Sequence, residues 1–444
     1  MTASDPDRSN PDRLNGDHVA KVRPDAGSGP PQSRSHDEAV PTAHEPSTPE
    51  DSDAQLEASP PDDPETEVQL AALPAAKPAP PVLPVVEVTD LDWKALRDSI
   101  DAGGVRRRMR RSISGTEDLL ERSTDAGMLF DADRAFPGDK AIRVTQVGKE
   151  NPLWFIGDLH GDLLALEAAL LLIRSHNHES VSKPRIVFLG DLFDDEGFGL
   201  EVLLRVYEVI LENPALVCLI AGNHDEALSH DGTRFSSNVS PSDFSEYLNT
   251  NLGDEWITRA GRVAIRLFAQ APRALFFPDG LLVAHGGFPL TDLHAQLQNT
   301  GDWNNPTCLS DFVWTRAHPR ARKKIPNRFT RGSQFGYEDF AAFCSVAAAL
   351  GRPVTHMVRG HDHVEQRYAV YPAYCANPIL TTVALSRRLS RELLGPHERA
   401  PTVALYVEGA LPQVFRLHVP ADLSAEFYPE TLDGGSVQLE ASRV

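Results

Sequence analysis

Leu153-Trp-Phe-Ile-Gly157-Asp158-Leu-His160-Gly161-Asp162 and Arg185-Ile-Val-Phe-Leu-Gly190-Asp191-Leu-Phe-Asp194-Asp195 share one construction. A short apolar run is followed by a glycine and then by side chains able to ligate a metal. The pattern recurs at Leu216–Gly222 leading to Asn223-His224-Asp225-Glu226. It returns at Gly280–Ala284 leading to His285-Gly286-Gly287, and at Thr355–Gly360 leading to His361-Asp362-His363. Apolar runs of this length bounded by glycine are expected as buried strands. Helical patterns near 162–175, 199–212, 255–270 and 336–350 alternate with them, which implies an α/β core. Near the end, PILTTVAL, TVALYVEG and QVFRLHV add further strands, the last two joined by a short Ala-Leu-Pro loop expected to form a hairpin. A mixed sheet or a second sheet follows from that antiparallel addition.

Ligands of open α/β sheets bind beyond the carboxyl ends of the strands, where all five clusters fall. Asp and Asn offer oxygen and His offers neutral nitrogen, a mixture suited to manganese, iron or zinc rather than calcium or magnesium. Each cluster alone is weak. An Asp after a strand is often a helix N-cap, and Asp162, placed before LLALEAALLL, is expected to be one. A lone histidine such as His285 is more often a packed or surface residue. Five such clusters in order, however, point to a metal site.

The rest of the chain sets limits. It has 444 residues, 41% hydrophobic and 24% charged, with a formal net charge of -20. An acidic surface repels nucleic-acid backbones, so no nucleic-acid partner is expected. No apolar run is long enough to cross a bilayer, and the start MTASDPDRSNPDRLNGD lacks the apolar core of an ordinary secretory signal. The expectation is a cytoplasmic protein, with export by a dedicated secretion system left open. Cys218, Cys308, Cys344 and Cys375 form no C-x-x-C pair, so neither a disulfide framework nor a cysteine zinc site is expected. Cys218 and Cys344 are expected as small buried apolar residues.

Residues 1–84 hold 16 of the 35 prolines with many Asp, Glu and Ser. Such a segment buries too little surface to offset its chain entropy, so a disordered tail is expected, serving as a spacer or as a tether for a partner protein. Residues 85–149 are expected as a helical lead-in, 150–422 as the domain that carries the five clusters and 423–444 as a C-terminal tail. The basic run Arg106–Arg111 (RRRMRR) is either a grip for an acidic or phosphorylated partner or a face paired within the molecule; the second is preferred. The polar stretch 229–254 is expected to be loop-rich.

The order G-D-x-H-G, G-D-x-x-D, G-N-H-[DE], H-G-G and G-H resembles the calcineurin-like metallophosphoesterases, and more narrowly the phosphoprotein phosphatase family of serine/threonine phosphatases. The resemblance covers about residues 150–420. Further matches are Phe268-Ala-Gln-Ala-Pro272 to that family's F-x-x-L-P and Phe312-Val-Trp314 to its L-L-W. Arg331-Gly332-Ser-Gln-Phe335-Gly336 is similar to its R-G-x-x-x-F-G, and Met357-Val-Arg-Gly-His361 with Val364-Glu365 to its V-R-A-H segment.

The resemblance implies a sandwich of two mixed β-sheets flanked by helices, with two divalent or trivalent metal ions at one edge. Asp158 and His160 would bind the first metal and Asp191 would bridge both. Asn223, His285 and His361 would complete the second. His363 matches the second histidine of the broader superfamily's G-H-x-H and is a further candidate for the first metal. Asp194 would orient His224, which would protonate or stabilise the leaving alkoxide. Arg331 would clamp phosphate oxygens, and a water or hydroxide between the metals would attack phosphorus in line.

Two departures stand out. The family's second motif continues D-R-G with a phosphate-binding arginine, whereas this chain has Asp194-Asp195-Glu196-Gly197. Arg328, Arg316 and Arg234 are the candidates to supply that grip, each with the plain alternative of a surface residue. The family's S-A-P-N-Y is replaced by Ala384-Leu385-Ser386-Arg387. The leading expectation is a serine/threonine-type phosphomonoesterase acting on phosphorylated protein. The alternative is a small-molecule phosphoesterase such as a dinucleoside polyphosphate or nucleotide hydrolase. A non-catalytic scaffold comes last, because Asp158, Asp191 and Asn223 are all present.

Overall fold

The computed structural model describes residues 83–429 except 123–133, 135, 137, 146–151, 177–183, 196, 322–324, 327–331, 372–373, 375–376 and 390–399. Most of the expected 1–84 tail, and the 430–444 part of the C-terminal one, thus lie outside the described residues.

The five apolar runs form strands Leu153–Ile156, Arg185–Phe188, Val217–Leu219, Leu281–Ala284 and His356–Arg359. They divide between two six-stranded mixed sheets. The first runs Val85–Val88, Gln413–Leu417, Thr402–Tyr406, Leu153–Ile156, Arg185–Phe188, Val217–Leu219. Its last three strands are parallel, with Trp154 opposite Ile186 and Val187 opposite Cys218. Thr402–Tyr406 runs antiparallel to both of its neighbours, and with Gln413–Leu417 it makes the expected hairpin. The second sheet runs Tyr368–Val370, Ile379–Thr382, His356–Arg359, Leu281–Ala284, Ala274–Phe276, Ala141–Arg143.

Strand alternation explains how the sheets pack. In the second sheet Leu275, Leu281, Val283, Val358 and Leu380 join one hydrophobic core with the residues of the first sheet. Their neighbours Phe276, Leu282, Ala284, Met357 and Ile379 point the other way, into a second core with Phe340 and Phe343 of the helix Tyr337–Ala349. Successive side chains of a strand face opposite sides, so a sheet covered on both faces needs an uninterrupted apolar run, as these segments have. Each fully buried Leu, Val or Phe contributes about 1.5–3 kcal/mol.

The helices follow the expected periods: Leu163–His176, Gly199–Glu212, Glu255–Gln270 and Tyr337–Ala349. In Glu255–Gln270 the Asp254 carboxylate accepts the Trp256 and Ile257 N–H groups, at 2.8 and 3.3 Å. Ile257, Ala260, Ala264, Leu267 and Phe268 then bury one face at helical spacing.

The lead-in departs from a purely helical segment. Val85–Val88 is an edge strand parallel to Gln413–Leu417, and Ala141–Arg143 is an edge strand of the second sheet. The β-branched run VVEV favours extended backbone, and an available sheet edge satisfies its N–H and C=O groups. Helices Trp93–Ser99 and Ala102–Arg122 lie between these strands in sequence. On the second, Arg106 pairs with Glu201 at 2.6 Å and Arg108 with Glu208 at 2.7 Å, while Arg110 stands over the Trp256 ring. The basic run therefore has intramolecular partners on neighbouring helices.

The stretch 229–254 is more ordered than its polar composition suggests. It holds a small hairpin, Ser229–His230 with Phe235–Ser236, and the helix Asp243–Thr250. Phe244 stacks on Phe193 with ring centres 4.4 Å apart, a tertiary contact that polarity alone does not reveal. At the other end, the helix Ala421–Phe427 runs past residue 422 and brings the Tyr428 hydroxyl to Asp162, at 3.0 Å. Cys218 and Cys308 are buried, whereas Cys344 is only partly so. Among the described residues, no helix is long and apolar enough to cross a membrane.

Candidate dinuclear metal centre

The ligand-type residues sit where the chain leaves its strands, and backbone geometry shows why. His160, Asp191, Asp194, Asp195 and His361 all have positive φ, from 42° to 75°. Such conformations cost non-glycine residues about 1–3 kcal/mol each and persist only where surroundings impose them. The adjacent glycines permit the approach. A Cβ on Gly222 would fall 2.2 Å from Asp191 Oδ1, and one on Gly360 would fall 2.2 Å from Asp158 Oδ1.

Two groups of donors result. Asp191, His285 and His361 converge on one point and are all buried. Nε2 of His285 is 3.1 Å from Asn223 Oδ1, 3.3 Å from Asp191 Oδ2 and 3.0 Å from His361 Nδ1. Asp158, His160 and His363 converge on a second point, with His363 Nε2 3.1 Å from Asp158 Oδ2. Asp191 belongs to both neighbourhoods, since its Oδ2 also lies 3.5 Å from Nε2 of His160. All seven metal-ligand candidates are thus brought together, and His363 falls with the first group.

Hydrogen bonding tests whether this donor set fits cations. Nδ1 of His285 donates to the Leu189 carbonyl at 2.8 Å, which leaves its Nε2 lone pair for the cluster. Asn223 Oδ1 and the Asp191 carboxylate accept as well. Asn223 Oδ1 and Asp191 Oδ2 thus gather within little more than 3 Å of His285 Nε2, which favours a positive charge between them. The same demand appears in proton affinities. Burial disfavours charge on His285, yet Asp191 and Asp158 hold its pKa up at about 9. His361, buried and close to Arg316 and His285, is pushed well below the ordinary histidine range. It is therefore neutral, as a ligand must be. Burial would raise Asp158, but the hydrogen bond from His363 and the charge of His285 bring it down to about 2. Mixed nitrogen and carboxylate oxygen at two adjacent points fit a pair of transition-metal ions.

Beside this centre stands a buried pair. His224 Nδ1 is 2.6 Å from Asp194 Oδ2, and the His224 ring meets His160 edge-on with centres 4.9 Å apart. The other Asp194 oxygen accepts the Phe244 N–H at 2.9 Å. Burial raises the Asp194 pKa, opposed by its bond to His224.

Several residues outside the candidate ligand set hold the site together. Asp225 is buried and accepts the N–H groups of Asp191, Gly222 and Leu192 at 2.6, 2.9 and 3.2 Å, tying the second motif to the third. Burial and the Asp191 charge raise its pKa to about 7. Asp162 does cap its helix through the Ala165 N–H at 2.9 Å, and it also accepts the Ser386 N–H at 2.7 Å and hydroxyl at 2.8 Å. Arg387 is buried, and its Nη2 donates to the carbonyls of His160 and Asp195 at 2.5 and 2.6 Å. The segment standing in place of S-A-P-N-Y therefore braces the first motif from behind.

Asp195, which stands where an arginine was expected, is buried with Oδ2 3.0 Å from Nδ1 of His160. Of the arginines considered as substitutes, Arg234 lies exposed on the small hairpin and Arg316 reaches the carbonyl of His361 at 3.0 Å. Arg328 and Arg331 lie outside the described residues.

Residues 152–365 match the family described as calcineurin-like phosphoesterase. Among solved structures, the chain is similar to a protein serine/threonine phosphatase of Saccharomyces cerevisiae, with 15% identity and TM-score 0.47 over 72% of this chain and 91% of that one. It is similar to a metallophosphoesterase of Sphaerobacter thermophilus, at 17% identity and TM-score 0.33, over 62% and 92%. A cold-active protein-tyrosine phosphatase of a Shewanella species shows 14% identity and TM-score 0.36 over 58% and 76%.

Proposed function

The chain belongs through residues 152–365 to the calcineurin-like phosphoesterases, which are metal-dependent phosphoester hydrolases, and from that premise we propose that it is a phosphomonoesterase of the serine/threonine protein phosphatase type. The observation that carries this reading is the His224–Asp194 pair, 2.6 Å apart and buried beside both ligand groups. Alkoxides of serine and threonine are poor leaving groups and need a proton or its equivalent as the P–O bond breaks. A histidine whose other nitrogen is held by a carboxylate is fixed in tautomer and direction and has the acidity for that role.

Asp158, His160, His363 and Asp191 would hold one metal ion, and Asp191, Asn223, His285 and His361 the other. Ions bound there lower the pKa of a shared water and neutralise charge on the reacting oxygens. The protein's own part is orientation. The Leu189 carbonyl accepts from Nδ1 of His285 at 2.8 Å and so fixes its tautomer, and the Asp195 carboxylate lies 3.0 Å from Nδ1 of His160. Asp194 aims His224, and Arg331 remains the proposed clamp on the phosphate.

One observation favours a second reading, a hydrolase of dinucleoside polyphosphates or nucleotides. Asp195 occupies the place of the family's phosphate-binding arginine and adds negative charge, which disfavours a compact dianionic monoester.

The experiment is hydrolysis of para-nitrophenyl phosphate by metal-free protein, with and without manganese, beside Asp191→Asn. Manganese-dependent turnover lost in the variant supports the proposal, and phosphoserine peptide in competition with a dinucleoside polyphosphate then decides between the readings. Absence of turnover with any divalent metal, on either substrate class, would overturn both.

A further inference from the structure

The two departures from the family's motifs meet in space. Asp195 stands where the family has an arginine, and Arg387 closes the segment that replaces S-A-P-N-Y. Nη2 of Arg387 donates to the Asp195 carbonyl at 2.6 Å and to the His160 carbonyl at 2.5 Å. One guanidinium nitrogen thus bridges two turns from different motifs. His160 and Asp195 have φ of 42° and 66°, backbone that persists only where surroundings impose it. Glycines make room for the bridge. A Cβ on Gly161 would fall 3.1 Å from Gly197 Cα, and one on Gly197 would fall 3.0 Å from Arg387 Nη2.

Arg387 is locked in turn. It is buried, and its Cζ lies 5.3 Å from the centre of the Tyr428 ring, within cation–π range. The Tyr428 hydroxyl and the Arg387 N–H both donate to Asp162, at 3.0 and 3.2 Å. One helical turn before Tyr428, Ser424 Oγ donates to the Ser386 carbonyl at 3.2 Å. Phe198, whose N–H meets the Gly161 carbonyl at 2.7 Å, packs edge-on against Phe427 and Tyr428, with ring centres 6.5 and 5.8 Å away. The helix Ala421–Phe427 and the tyrosine after it therefore close over the guanidinium. Among the described residues, no hydrogen bond of Arg387 reaches Asn223, His285 or His361.

We propose that Arg387 is a positioning residue for the first metal site, a clasp between the His160 and Asp195 turns that Tyr428 keeps closed. The inference rests on the phosphoesterase reading above and extends it to what sets the grip on one ion of the pair. A ligand histidine holds an ion well only when its backbone and the groups behind its ring are fixed. Asp195 Oδ2 stands 3.0 Å from Nδ1 of His160, so a bridge between the two backbones fixes the relation of these side chains. A guanidinium suits the task because it is planar and permanently charged, and its bonds to carbonyls are charge-assisted. The acid at 195 and the arginine at 387 act as one device. Through it the helix Ala421–Phe427 sets the affinity of the first site and leaves the second alone.

The test compares metal-free, full-length wild type with Arg387→Gln, Tyr428→Leu and Tyr428→Phe, by calorimetric titration with manganese and by amide hydrogen exchange. In Arg387→Gln one ion is expected to bind roughly tenfold to a hundredfold more weakly while the other keeps its wild-type affinity. Exchange should quicken at the amides of Leu159, His160 and Gly161, which donate to the Asp191 and Leu192 carbonyls at 2.9 Å, and stay unchanged along the strand His356–Arg359. Tyr428→Leu should show the same pattern in smaller measure, and Tyr428→Phe, which keeps the ring beneath the guanidinium, should recover most of it. Wild-type affinity for both ions in Arg387→Gln would overturn the proposal. So would equal weakening of both ions with faster exchange throughout, which would make Arg387 a support of the whole fold. If Arg387→Gln does not fold, the two Tyr428 variants decide, and identical behaviour of Leu and Phe there would overturn the clasp. If the wild type binds no manganese, the metal-dependent reading fails instead, and exchange at Leu159–Gly161 still decides: unchanged rates in Arg387→Gln would refute the bridge.

Discussion

Asp195 Oδ2 lies 3.0 Å from Nδ1 of His160, and both side chains are buried. A carboxylate behind a ligand histidine keeps the proton on the far nitrogen and turns the near one towards the metal. Under the proposed ligand assignment, the acid found in place of the family's arginine would support the first metal site rather than the substrate. Asp195→Asn keeps the shape and removes the charge. It is expected to weaken binding of the first metal by roughly tenfold to a hundredfold, as measured by calorimetric titration with manganese. Equal affinity in the two proteins would show that Asp195 is only a buried neighbour.

His363 stands at the mouth of the same site, 3.1 Å from Asp158 Oδ2. His363→Gln should leave the second ligand group, around His285 and His361, intact. Metal analysis after dialysis is expected to show about one tightly bound ion per chain where the wild type holds two. Two ions retained at wild-type affinity would remove His363 from the ligand set.

The proposed acid pair makes a prediction about leaving groups. His224→Asn and Asp194→Asn should lower kcat on phosphoserine peptides by roughly a hundredfold or more. On para-nitrophenyl phosphate the loss should be much smaller, because para-nitrophenolate leaves without a proton. Equal losses on both substrates would mean that the pair only shapes the site.

His356, on a second-sheet strand, gives a stability prediction away from the site. Burial depresses its pKa below 6.5, against a weaker pull from Asp279. The unfolded chain therefore takes up a proton more readily than the folded one. Stability should fall as pH drops through 6.5 towards the folded-state pKa and be unaffected above it. Urea unfolding between pH 7.5 and about 5 checks this, with His356→Gln expected to flatten the profile in that window. An identical slope in the variant would assign the acid sensitivity to other groups.

Much of the fold was legible because the decisive signals are local. A run such as Leu153–Ile156 must be buried on both faces, and the Gly-Asp that follows it must turn, whatever the rest of the chain does. Helix positions came through equally well, since amphipathic spacing in a segment such as Glu255–Gln270 is set within a few turns. Short edge strands were harder. Ala141–Arg143 and Val85–Val88 carry few residues, and pairing with distant strands decides their conformation. The helix Asp243–Thr250 was hidden for a related reason, its polar face outweighing the single aromatic that docks it on Phe193.

The sequence by itself determined the chemistry available to this protein: which side chains leave the strand ends, that they are of metal-ligand type with mixed oxygen and nitrogen donors, and that His224 has a carboxylate in the preceding motif. Only the tertiary structure decided how those groups are shared. His361 donates its N–H to Asp158 across 203 residues of chain, and the position of His363 follows from that closure. Asp195 and Arg387 acquired their surroundings in the same way, one turned inward against His160 and the other covered by Tyr428. Ligand identity is a property of a turn and its neighbours. Whether a charge faces a metal, a histidine or the solvent depends on which distant segment packs against it.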